Sequence, residues 1–582
     1  MKGIWAHGAG WILIIFAVFA FAANVRAEGT DERPDRIDMT KWLYNADADV
    51  YYQLGVVYCA APVDTAYQTM GFFVPGAYFK GSDNGDGTYR CELNPEGTVG
   101  GFTPETAPIV LPVNTPGYSA MTAPTEYADF SEFTDAGFVV LNPGCRGRDH
   151  GAPAGVTDLK AAIRYARTNA ELLPGDLDAI FTYGMSGGGA QSVLIGASGD
   201  SPLYDPYLAQ IGAVQDVSDA VAGSMSWCPV TNLDHADEAY EWQLGMTRSG
   251  LSDEEQAISD ALAAAYADYI NAAGFSDAEG NALTLEASGS GIFQAGSYYQ
   301  YMKEVVETSL ENFLADTTFP YEASSGAPGG TGRSAGGPEG TPPDFDAANS
   351  SSDGELVEAV SYEALDHISR TGSSSGGLTL TGTYSTAQSY IDALNSENEW
   401  VRYDAESGEV EITSVSDFAM ALKTASKALG AFDQLDAGQG ENTLFGYGDG
   451  KGAHFDAVLA RILADLGSSY AGDAAADLAR TDALGSSVAV RVSMYTPLYY
   501  LLPSEAGYRT SKAAKYWRIR SGINQSDTAL STEVNLALAL ARYLGVEELD
   551  FATVWGQGHT EAERSGDPDS NFIEWVKRCA GE

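Results

Sequence analysis

Ser186 stands in Gly184-Met185-Ser186-Gly187-Gly188, directly after an apolar run at 179–183 and directly before a helical stretch. In that strand-to-helix setting a G-x-S-x-G pattern has a mechanical meaning. The turn forces strained backbone at the serine, so the residues two positions to either side must be small. It lifts the hydroxyl above the sheet edge and aims the helix N-terminus at a developing oxyanion, which is the chemistry of acyl transfer. A phosphate cradle fits less well, because no lysine follows as in a P-loop.

A serine nucleophile needs a base. Of the histidines, His150, His235, His367 and His454 precede the last apolar runs, whereas His559 follows the run 549–554 in Gly558-His559. The acid that orients an imidazole should follow an earlier strand, and Asp527 lies between the run 516–520 and a helical stretch. The chain order Ser186, Asp527, His559 is then that of the hydrolases with a strand-borne nucleophile. Asp527 could also serve as a helix N-cap. Gly187 would give one oxyanion N–H, and Gly117, in the loop after the run 107–113, the second; Pro116 beside it has no N–H to give.

The elements that must hold these residues are legible as periodicity. From residue 107 short apolar runs alternate with helical stretches, the signature of a mainly parallel sheet with crossover helices, and hence an α/β fold. Candidate strands are 107–113, 137–141, 179–183, one that 213–224 leads into and that ends near Cys228, 492–501, 516–520 and 549–554. Helices are expected at 156–169, 529–544 and 572–578. Ahead of them 50–79 reads as antiparallel strands, with a hairpin turn at 83–87. The alternation stops between 229 and 485, read as an inserted lid domain with helices at 253–273, 298–313 and 414–429, a hairpin at 400–413 and a disordered tract at 324–354. The hydrolase core is thus split into 28–228 and 486–582.

Bulk properties bound the setting. Residues 1–27 combine Lys2, an apolar stretch and Val25-Arg26-Ala27, a cleavable export signal, which implies a secreted or cell-envelope protein without stable membrane insertion. The formal charge of −48 becomes −50 once Lys2 and Arg26 leave with that signal, since no acid leaves with them. So acidic a surface repels nucleic acid and anionic lipid. Five cysteines in an exported chain permit disulfides, with Cys59 and Cys91 the best pair. No residue pattern calls for a metal or cofactor.

With these residues in place, the sequence resembles the bacterial tannases of the lactobacillus type, tannin acyl hydrolases with an α/β-hydrolase core and a large inserted lid. The likeness rests on 183–190 (Tyr-Gly-Met-Ser-Gly-Gly-Gly-Ala), 203–208 (Leu-Tyr-Asp-Pro-Tyr-Leu), 431–435 (Ala-Phe-Asp-Gln-Leu), 441–446 (Glu-Asn-Thr-Leu-Phe-Gly), 518–522 (Arg-Ile-Arg-Ser-Gly) and Gly558-His559. It implies a serine carboxylesterase acting on small phenolic, galloyl-type esters, with Lys427 and Glu441 at the positions that contact the ring hydroxyls. One departure stands out. The family carries two acids separated by one position after the Arg-x-Gly segment, the first in the triad and the second on the ring; this chain has Gln525 and Asp527. Either Asp527 takes over the triad role, or it keeps the ring role and the triad acid lies elsewhere; we adopt the first, because an imidazole without a carboxylate loses orientation and charge stabilisation. Lys427 has a second explanation, as a cation complementing the dipole at the end of the helix 414–429. The same residues also fit a feruloyl or acetyl esterase or a peptidase on this fold, or a catalytically silent ligand-binding relative.

Overall fold

The computed structural model describes residues 34–288, 293–323 and 380–581. The expected export signal, the tract 324–354 and His367 lie outside the described residues.

One sheet of nine strands organises the chain. In chain order these are β1 (Leu43–Asn45), β2 (Val50–Val57), β3 (Thr69–Pro75), β4 (Ile109–Val113), β5 (Val139–Pro143), β6 (Ile180–Met185), β7 (Gly223–Trp227), β8 (Tyr516–Gly522) and β9 (Glu548–Val554). Their spatial order is β1-β2-β3-β5-β4-β6-β7-β8-β9. The first three pair antiparallel, and β3 pairs antiparallel with β5. From β5 onward every pairing is parallel. This is the α/β-hydrolase arrangement expected from the alternation after residue 107. β4, β6 and β7 are buried on both faces, as strands of a sheet covered on both sides are. The helix Gly187–Ala197 packs on β6, β7 and β4, and a Cβ on Gly187 or Gly188 would run into the backbone of β4 and its following loop, while one on Gly189 would crowd the Gly184 and Trp227 carbonyls.

Parallel pairing fixes where function can sit. β4, β6, β8 and β9 all end at the same edge of the sheet, so the loops after them converge there, the crevice that open α/β sheets use for ligands.

Between β7 and β8 the described residues add no strand to this sheet. They form helices, among them Asp253–Ala273 and Ser297–Asp316, and the small hairpin Val401–Tyr403 with Val410–Ile412. Asp253–Ala273 starts where expected, because Ser252 and Glu255 close a reciprocal capping box. Ser297–Asp316 and the second half of Asp253–Ala273 pack into the same core as the sheet, whereas Ile258 and Leu262 form a smaller cluster with Leu459, Ile462 and Leu463. Among the described residues, no helix is long and apolar enough to cross a membrane.

Three expectations are corrected. The run 492–501 is not a strand but two helices, Val488–Met494 and Pro497–Leu501. Its β-branched and aromatic residues suit a strand, yet the Ser487 hydroxyl caps Val490 and Pro497 sits where a helix begins. The helix predicted over 414–429 ends at Leu422, since the amides of Ser426 and Lys427 donate to the Tyr240 hydroxyl rather than up a helix. Cys59 and Cys91 are both buried free thiols. Cys59 faces Asp158 and Arg146, whereas Cys91 sits in the hairpin strand Tyr89–Leu93 beside Tyr51, so their side chains belong to different parts of the core. The turn at 83–87 holds, with Asp83 and Asp86 accepting from the amides of Gly85 and Thr88.

Candidate active site

The backbone at Ser186 is strained as the motif demands: φ is 57° and ψ −123°, a region non-glycine residues avoid. The neighbouring glycines show why nothing larger fits. A Cβ on Gly188 would stand 2.1 Å from the Val113 carbonyl oxygen, and one on Gly184 would stand 2.6 Å from the Gly188 carbonyl carbon. The strain is held by the Ser186 amide, which donates to the Trp227 carbonyl at the end of β7 (3.0 Å).

His559, in the loop after β9, meets this serine. Its Nε2 lies 2.8 Å from Ser186 Oγ. Its Nδ1 lies 2.6 Å from Gln525 Oε1, in the loop after β8. An amide oxygen there requires the proton on Nδ1, which leaves Nε2 free to accept the serine proton. Burial pushes the His559 pKa down, opposed by Asp527 and assisted by Lys427, so the ring is held neutral and ready as a base.

Asp527 does not make the bond expected of it. Its half-exposed carboxylate stands 3.9 Å from Nδ1, beyond hydrogen-bond reach, and the contact is made two residues earlier by Gln525. Two of the other described histidines are paired elsewhere. His235 pairs with Glu238 (3.1 Å) and His454 with Asp433 (2.7 Å).

The two glycines expected as oxyanion donors, Gly187 and Gly117, lie side by side. A Cβ on Gly187 would lie 2.6 Å from the Thr115 oxygen and 3.1 Å from the Gly117 nitrogen, so the loop after β4 rests directly on the helix start. Gly117 adopts φ 51°, and the Arg148 guanidinium fixes its carbonyl at 3.0 Å. The first amides of a helix have no intrahelical acceptor, so the Gly187 N–H is available there.

Lys427 and Glu441 come together. The ammonium stands 4.0 Å from Glu441 Oε1 and 4.1 Å from the Phe432 ring centre. Both side chains are largely buried, and Lys427 acts electrostatically on His559. Lys427 lies beyond the end of its helix, so the dipole explanation for it falls away. Its segment is pinned instead by Arg248, which donates to the Lys427 carbonyl (2.7 Å), and by Tyr240, whose hydroxyl reaches the Ser526 carbonyl (3.0 Å). Glu441 opens the short helix Gly440–Phe445, which packs on the loop bearing Gly117.

Comparison with known proteins bears on this arrangement. A family model described as BD-FAE matches residues 104–273, the part that contains Ser186. No curated protein matches the chain. Among solved structures, the tannin acyl hydrolase from Lactobacillus plantarum is 26% identical over 91% of this chain and 94% of its own, with a TM-score of 0.62. Fusobacterium nucleatum tannase is 25% identical over 91% and 95%, also at 0.62. A tannin acyl hydrolase in complex with ethyl gallate is 27% identical over 91% and 94%, at 0.60. The chain has the fold of the bacterial tannases. The likeness to tannases supports an ester hydrolase.

Against that tannase frame, sequence reasoning overlooked three residues. Gln525 reads in the sequence as a missing acid, not as the imidazole's partner. Glu533, buried behind it, and Lys423, whose ammonium donates to the Gln525 carbonyl (2.5 Å), were not singled out. A signal for Glu533 existed: it is an acid three residues into a helix, Leu530–Arg542, whose first half is otherwise small, apolar or uncharged.

Proposed function

We propose that the protein is an exported serine carboxylesterase that cleaves phenolic, galloyl-type esters through an acyl-enzyme on Ser186. The observation that carries this reading is the 2.8 Å contact between Ser186 Oγ and His559 Nε2 on a strained turn, with a cation and a carboxylate, Lys427 and Glu441, poised beside it.

Ser186 Oγ attacks the ester carbonyl while its proton passes to His559 Nε2. The oxyanion is received by the N–H groups of Gly187 and Gly117. Collapse expels the alcohol, which takes the proton from Nε2, and leaves the acyl group on Ser186. A water then surrenders a proton to Nε2 and attacks the acyl carbon; collapse breaks the bond to Ser186 Oγ, which takes the proton back from Nε2 as the acid leaves. Lys427, Glu441 and Asp527 supply the groups that adjacent ring hydroxyls would need, one donor and two acceptors. The leader at 1–27 supports export.

The test is selectivity. A pocket built to bond ring hydroxyls is left with unpaired buried groups when the ring lacks them. Lys427→Ala and Glu441→Ala are each expected to lower kcat/KM for methyl gallate by roughly ten- to a hundredfold, about 1.4 to 2.7 kcal/mol. The loss on p-nitrophenyl acetate should be at least about tenfold smaller, because acetate presents no ring hydroxyls. Equal losses on both substrates would show that these residues support the pocket without reading the ring.

A further inference from the structure

With Ser186 as nucleophile and His559 as base, the imidazole has no carboxylate within hydrogen-bond distance among the described residues. Its Nδ1 partner is a neutral amide. What stands behind that amide is not neutral. Gln525 Nε2 donates to Glu533 Oε1 (2.9 Å) and to Ser521 Oγ (2.8 Å). The Ser521 hydroxyl passes its own proton towards the same carboxylate oxygen (3.3 Å), and Thr528 Oγ1 donates to it at 2.8 Å. Glu533 is fully buried, and its second oxygen has no hydrogen-bond partner among the described residues.

This wiring permits one orientation of the amide. Turning it over would set NH2 against the Nδ1 proton and would face Oε1 towards the Glu533 carboxylate, losing both bonds and adding two repulsions. The Lys423 ammonium holds the Gln525 main chain at the same time.

We propose that Gln525 fills the third position of the catalytic relay in place of a carboxylate, and that Glu533 is its positioning residue, fixing the amide and placing a negative charge one amide further from the imidazolium. The proposal rests on the reading of Ser186 and His559 given above. No proton reaches Gln525 or Glu533. His559 takes the serine proton on Nε2, keeps its Nδ1 proton on Gln525 Oε1 throughout, and returns the Nε2 proton to the leaving oxygen.

The groups facing Glu533 are Lys423 and the Cys228 thiol, and those facing His559 are Asp527 and Lys427. Burial raises the Glu533 carboxyl to about 7 and lowers Lys423 to about 8, while the Cys228 thiol is pushed up to about 12 and stays neutral. Near pH 8 Glu533 is therefore charged in a site that burial makes unfavourable for charge. Glu533→Gln should remove that cost without removing volume.

The experiment compares full-length wild type, Glu533→Gln, Gln525→Leu, Asp527→Asn and the double variant Gln525→Glu/Glu533→Gln on p-nitrophenyl acetate between pH 5 and 9. Wild type is first labelled with a fluorophosphonate; failure to label would remove the serine-esterase reading itself. Given labelling, Glu533→Gln is expected to lower kcat by about ten- to a hundredfold at nearly constant KM, with Tm at pH 8 unchanged or higher. Its deficit against wild type should be largest above pH 7 and shrink below it, because Glu533, raised to about 7 by burial, is protonated there in wild type as well. Gln525→Leu should lose about a thousandfold, the scale of a mis-set tautomer. The double variant, which moves the carboxylate into direct contact with Nδ1, should recover kcat to within about tenfold of wild type. Wild-type kcat in Glu533→Gln, a fall in kcat matched by a fall in Tm, no recovery in the double variant, or a larger loss in Asp527→Asn than in Glu533→Gln would each overturn the proposal.

Discussion

Ser186→Ala is expected to lower esterase turnover by about a millionfold, to the level that binding and the oxyanion donors sustain alone. The expectation follows from geometry in which serine and imidazole act as one unit. Ser186 Oγ is the atom on His559 Nε2, and without it the base has nothing to activate except water. The fold should be untouched. The turn is held by main-chain contacts, the Ser186 amide on Trp227 and the glycines on Val113, and alanine adds no atom to them. Turnover of p-nitrophenyl acetate and methyl gallate by the purified variant, with its Tm, measures this. More than about a hundredth of wild-type turnover would show that the nucleophile is another group, since loss of a single relay member typically costs several powers of ten.

Much of this site is legible in the sequence because the α/β-hydrolase sheet imposes it. The strand before Ser186, the helix after it and the loop bearing His559 are each announced by a local pattern, and parallel pairing then forces their loops to one edge. The third position is a different kind of problem. Asp527 is an acid in the right segment, yet whether residue 525 or 527 meets Nδ1 depends on how the loop after β8 turns, which Lys423 and Tyr240 decide from the segment between β7 and β8. Those partners lie about a hundred residues or more from the loop in sequence, beyond any local signal. Lys427 is a similar case: its helix pattern is locally sound to Leu422 and then yields to tertiary bonds on Tyr240 and Arg248. The failed strand at 492–501 shows the converse, where propensity was strong and capping chemistry prevailed.

The second large effect is expected at Glu563, which ties the His559 loop to the sheet. Its carboxylate receives both guanidinium nitrogens of Arg518, at 2.5 and 2.6 Å, and the Trp227 indole N–H at 2.9 Å. Arg520 approaches it at 3.7 Å, and Arg518, Arg520 and Trp227 are all buried. Its own main chain is clasped by the Gln557 side chain, whose amide donates to the Glu563 carbonyl (2.8 Å) and accepts from its N–H (3.2 Å). His559 sits within this clasp. Glu563→Ala would leave two buried arginines to share one remaining carboxylate, Asp550, and would strand the indole donor. Breaking a buried pair from one side costs about 3–5 kcal/mol, because the surviving charge is left desolvated without its partner. Glu563→Gln should cost less, since an amide still accepts from the indole and from one guanidinium nitrogen while giving up the charge. Thermal midpoints in the order wild type, Glu563→Gln, Glu563→Ala are therefore expected, with kcat following the same order well below the melting range as the His559 loop slackens. A Glu563→Ala protein as stable as wild type would mean that Asp550 and solvent neutralise the arginines unaided, and the loop would then owe its position to the Gln557 clasp alone.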